Sequence, residues 1–63
     1  MKLTIEFTNG KYAQYTGKNA ESVEHAIARA VNIGDQATNS IRLKDGKCIR
    51  LFINAINSTV IEF

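Results

Sequence analysis

The sequence predicts an α+β domain: a mostly antiparallel sheet of four to five strands in the order ββαβββ, with one amphipathic helix packed on one face. Three observations carry this. Apolar residues alternate at period two near both ends of the chain and change to helical spacing in the middle. All four glycines, Gly10, Gly17, Gly34 and Gly46, fall where one pattern gives way to another. Proline is absent, so no element is interrupted from within.

The first strand follows from Leu3, Ile5 and Phe7 alternating with Lys2, Thr4 and Glu6. Thr8-Asn9-Gly10-Lys11 then signals a hairpin, and its loop length follows from which register keeps apolar side chains on one face. A two-residue loop sets Ile5 opposite Gln14. A three-residue loop sets Ala13 and Tyr15 on the face of Leu3, Ile5 and Phe7, so the sequence favours a type I turn with Gly10 in a left-handed bulge.

In the middle of the chain, Val23, Ile27, Ala30 and Val31, supported by Ala20 and Ala26, recur at helical spacing. Asn19 reads as the N-cap, Glu21 and Glu24 suit the positive end of the helix, and Gly34 stops it, giving about fourteen residues or fewer. Residues 35–39 are a polar loop. In the second hairpin, Lys44-Asp45-Gly46-Lys47 again prefers a three-residue loop, which gathers Ile41, Leu43, Ile49, Leu51 and Ile53 on one face. Asn54 to Asn57 breaks the alternation as a turn, and a short last strand follows with Ile61 and Phe63 pointing inward. Periodicity leaves the order of the strands in space open.

With 63 residues, 44% hydrophobic and 22% charged, the chain has room for one core, so residues 1–63 form a single domain. So small a core gives modest monomer stability, and self-association would add to it. The lone Cys48 has no intramolecular partner, no apolar run resembles a signal peptide, and nothing spans a membrane. The expected location is the cytoplasm.

Chemistry is sparse. A nucleophilic triad needs a base held by a third group, but the single histidine, His25, sits on the polar helix face between Glu21 and Arg29. Glu21, Glu24 and His25 share a side of the helix, yet the dipole of the helix explains the carboxylates more simply than a metal does. No glycine-rich phosphate loop is present. The expectation is a protein that is not an enzyme and takes no metal, cofactor or small-molecule substrate.

One surface pattern stands out. Continued alternation turns Tyr12, Arg42, Lys44, Arg50 and Phe52 away from the helix, together with Lys2, Thr4, Glu6, Gln14 and Cys48. Aromatic rings among cations suit a protein partner or a second copy of the chain. The same residue types could stack bases and neutralise phosphates, which makes a small nucleic-acid-binding regulator the alternative.

The small size, the T-N-G-K and K-D-G-K hairpins, the Ala-rich helix and the ending L-F-I-N-A-I-N-S-T-V-I-E-F resemble small, mostly uncharacterised proteins of phages and mobile elements. Many of these bind and block a host protein. The resemblance implies a binder that inhibits a host enzyme or a defence protein such as a CRISPR nuclease, acting in the host cytoplasm; it assigns no individual residue a role.

Overall fold

The computed structural model describes all residues, 1–63. It is an α+β fold in which the strands divide between two antiparallel sheets. Strands β1 (Lys2–Phe7), β2 (Tyr12–Thr16) and β5 (Ile56–Glu62) form a three-stranded sheet in the order β2-β1-β5. Strands β3 (Ile41–Arg42) and β4 (Cys48–Ile49) form a separate ribbon, so the single larger sheet expected from the sequence is not formed. The helix α1 (Gly17–Ile33) lies between the two hairpins in the chain.

Both hairpins close with the three-residue loops that face matching requires. The Phe7 N–H donates to the Lys11 carbonyl at 2.8 Å, and the Leu43 N–H donates to the Lys47 carbonyl at 2.7 Å. Gly10 and Gly46 take φ of 84° and 91°, a left-handed conformation that is costly for any residue with a Cβ. In each turn the middle side chain fixes the exit: Asn9 Oδ1 accepts from the Lys11 N–H and Asp45 Oδ1 from the Lys47 N–H, both at 3.0 Å. Shared turn chemistry thus serves two hairpins of different size.

The helix is longer than its sequence signals indicate. It runs 17 residues from Gly17, and its N-cap is Thr16, with extended backbone and no side-chain capping bond. The strand runs straight into the helix because the Gly17 N–H donates to the Met1 carbonyl at 3.1 Å, continuing the β1–β2 ladder to the junction. Asn19, freed from capping, accepts the Lys44 N–H at its Oδ1 at 2.8 Å and ties the ribbon to the helix. Glu21 and Glu24 consequently lie beyond the first turn, where the dipole acts weakly on them. Gly34 ends the helix as expected: its N–H reaches the Val31 carbonyl, and the Asp35 N–H reaches that of Ala30.

Leu3, Ile5, Ala20 and Val23 form the dry centre of the core, joined by Ile41 and Leu51 from the second half of the chain. Only eight of the 63 residues are buried, consistent with modest stability. Three residues expected inside are not. Val31 is 59% exposed, Ile61 is 38% exposed and Phe63 is fully exposed, because the helix lies against β1 and β2 and does not extend over β5.

The segment expected to be a plain polar loop is structural. Thr38 is buried; its N–H donates to the Leu51 carbonyl at 2.8 Å, and its Oγ1 accepts the Leu51 N–H at 3.0 Å. Ala37 bridges Phe52, and the Ile53 N–H donates to the Gln36 carbonyl at 2.8 Å. Residues 36–38 therefore take the rungs that a longer β3 would have occupied. Ile53 enters a single 3-10 turn, Ile53–Ala55, and β5 begins at once with Ile56, earlier than expected. Asn57 is the extra residue in a bulge, since Ser58 opposes Glu6 while Ile56 opposes Phe7.

Candidate binding surface

Strand register fixes which side chains share the outer face of the three-stranded sheet. Lys2, Thr4 and Glu6 of β1 stand opposite Thr16, Gln14 and Tyr12 of β2 on one side and opposite Glu62, Val60 and Ser58 of β5 on the other. Across this face runs a polar cluster centred on Glu6. Tyr12 Oη donates to Glu6 Oε2 at 3.0 Å, while Asn57 Nδ2 and Ser58 Oγ donate to Glu6 Oε1 at 3.0 and 3.4 Å. These donors, Tyr12 first, hold the Glu6 carboxyl below the usual carboxylate range; the same bond and the carboxylate charge push the Tyr12 hydroxyl up. Tyr12 is thereby oriented by its neighbour, although its ring is 65% exposed.

Arg42, Lys44, Arg50 and Phe52 belong to the other half of the molecule. Arg42 lies on β3, Lys44 in the turn of the ribbon, and Arg50 and Phe52 just beyond β4. No side-chain hydrogen bond joins any of them to Tyr12, so the five residues do not form one continuous sheet platform. Arg50 and Phe52 do come together: the guanidinium carbon lies 5.9 Å from the centroid of the Phe52 ring, within the range of a cation–π contact. Arg50 Nε also donates to the Thr38 carbonyl at 3.2 Å, so the buried Thr38 anchors the cation while Phe52 remains 58% exposed. Beside them, the 34–39 segment forms a polar cleft.

The ribbon gathers charge as well. Residues 41–52 carry Arg42, Lys44, Lys47 and Arg50 against one acid, Asp45, a balance of +3 that exceeds the +2 of the whole chain. The helix offers nothing comparable. Glu21 and His25 are exposed, and no group of three or more His, Cys, Asp or Glu side chains is placed to hold a metal ion. No helix is long and apolar enough to cross a membrane.

The structure also holds a second surface that the sequence pattern does not predict. Between α1 and β5 lies an apolar groove of about 390 Å³, with Ile27 and Val31 on its helix wall and Leu3, Thr59 and Ile61 on its sheet wall. Its sequence signal was present in the spacing of Val31 and Ile61, which read as core positions. What the pattern did not contain was the position of the helix across the sheet.

Comparison of the chain with protein-family models, with curated proteins and with solved structures finds no match.

Proposed function

We propose that the protein is a non-catalytic protein-binding module whose contact surface is the cationic ribbon with its Arg50–Phe52 pair. The observation that carries this reading is the geometry of that pair. An exposed aromatic ring lies beneath a guanidinium already fixed by a backbone carbonyl, so both side chains meet a partner with little freedom left to lose. Arginine and aromatic residues are also the types that dominate binding energy at protein interfaces. The surrounding Arg42, Lys44 and Lys47 favour a partner with an acidic rim. Such a module fits the inhibitor of a host or defence protein, a CRISPR nuclease included, that the phage-type resemblance implies.

The charge balance of the ribbon also supports a second reading, a small nucleic-acid-binding regulator with Phe52 as a stacking surface. One experiment separates the two. Host lysate is passed over immobilised wild-type protein, Arg50→Ala and Phe52→Ala, while labelled single-stranded DNA, single-stranded RNA and duplex DNA are titrated at low and physiological salt. A stoichiometric protein retained by wild type and lost from both variants supports the protein-binding module. Nucleic-acid binding that falls steeply with salt and is lost in Arg50→Ala replaces it with the regulator. Capture of neither overturns both.

A further inference from the structure

We infer that the open edge of β5 is a docking surface for a second copy of this chain, forming a continuous six-stranded antiparallel sheet about a two-fold axis at Val60. This surface lies on a different element from the Arg50–Phe52 pair, so either assignment can fail without the other.

Backbone bookkeeping shows which groups await a partner. Met1 and Phe7 of the first hairpin bond toward β2, and antiparallel ladders alternate, so the even residues of β1 bond toward β5. Their partners Ser58, Val60 and Glu62 are therefore satisfied within the chain. Thr59 and Ile61 turn their N–H and C=O groups outward along the strand, a row suited to pairing with another strand.

The two free edges of the sheet differ in protection. β2 carries no charge of its own, but Lys11 stands at its start, where a cation keeps an edge strand apart, and its other end runs directly into the helix. β5 carries a single charge, Glu62 at its last position, and residues 51–61 before it carry none. That matters for a two-fold axis, which sets each residue near it against its own copy, where any charge would repel itself.

Register follows from pleat and overlap. Both helices lie on one side of a continuous sheet only when odd residues oppose odd ones and even oppose even. Asn57 bulges out of register, so the regular stretch of the strand is Ser58–Glu62, and pairing about Val60 overlaps the whole of it. It sets Val60 against Val60 on the outer face, the Glu62 carboxylate beside the Ser58 hydroxyl, and Ile61 beside Thr59 on the inner face. Ile61 and Thr59 both line the groove, so the partner strand extends its apolar floor where the helix stops short.

The area suits a reversible dimer. The five overlapping residues 58–62 at ~3.4 Å each give an edge of about 17 Å, and with the 19 Å smallest extent of the molecule the footprint is roughly 320 Å² per subunit. About 650 Å² in total lies well below the usual range for stable complexes, so association should be weak and concentration-dependent.

The test is sedimentation equilibrium of the full chain from micromolar to millimolar concentration, with Val60→Lys and Thr59→Pro. Val60→Lys places like charges across the axis; Thr59→Pro removes an outward N–H without touching the ladder to β1. The wild type should dimerise, and each variant should bind itself roughly tenfold or more weakly while keeping its circular dichroism spectrum. As a measurement independent of variant folding, Val60→Cys in a Cys48→Ser background should form a disulfide dimer with oxidised glutathione. Opposed Cα atoms in such a pair lie about 4.5 Å apart, within disulfide reach. Gln14→Cys on β2 should not cross-link. A wild type that stays monomeric throughout, a dimer indifferent to both substitutions, or cross-linking at Gln14→Cys instead of Val60→Cys would overturn the inference.

Discussion

Strands β1 and β5 are neighbours with similar alternation and different environments. Leu3 and Ile5 of β1 are sealed beneath the helix, while their cross-strand partners Ile61 and Thr59 of β5 remain open to solvent. The difference arises because one helix covers two strands of a three-stranded sheet. Similar alternation therefore yields a core on one strand and a candidate contact surface on the next. β5 is held to β1 by its ladder and by the polar cluster at Glu6 more than by packing against the helix.

Substitutions at paired positions should expose this contrast. Ile5→Ala should cost about 2–5 kcal/mol in urea unfolding, because the side chain is wholly buried and leaves a cavity. Ile61→Ala, measured at a dilution that keeps the chain monomeric, should cost about 1 kcal/mol, since more than a third of that residue already meets water. Equal costs at the two positions would mean that the helix covers β5 as fully as β1.

A smaller effect should come from Glu6→Gln, read as stability against pH. The carboxyl has a lowered pKa in the folded chain, so its stabilising contribution is full above the ordinary value near 4.5 and is lost as pH falls through the folded value. The Tyr12 pKa is raised, so its contribution is present below about 10 and is lost as pH rises through the folded value. Glu6→Gln should flatten the stability profile at both ends. A profile unchanged from wild type would remove the Glu6 cluster from the forces that hold β5 and β2 to β1.

The sequence carried the local rules well. Gly10 and Gly46 with their alternating flanks specify both three-residue turns, because a one-residue slip would move every apolar side chain to the wrong face. Gly34 likewise specifies the helix end. Long-range choices were illegible. Nothing in the pattern says that β5 pairs with β1 while the second hairpin stands apart, or that Asn19 serves the Lys44 amide instead of the helix N-terminus. Thr38 looks like any loop threonine until its hydroxyl is seen accepting a buried N–H. Of the candidate surface, residue type alone marked Arg50 and Phe52, and the structure brings those two together while setting Tyr12 on the other sheet.

Amide hydrogen exchange along β5, followed by NMR at low and high protein concentration, tests most directly whether this strand is an open edge. At low concentration the Ser58 and Val60 amides, bonded to β1, should exchange slowly, and those of Thr59 and Ile61 quickly. Raising the concentration should slow exchange at Thr59 and Ile61 while the outward amide of Gln14 on β2 stays fast. Uniform protection along β5 at high dilution would show that its edge is already covered within the monomer. Alternating protection that ignores concentration would leave the edge open but without a second copy to fill it.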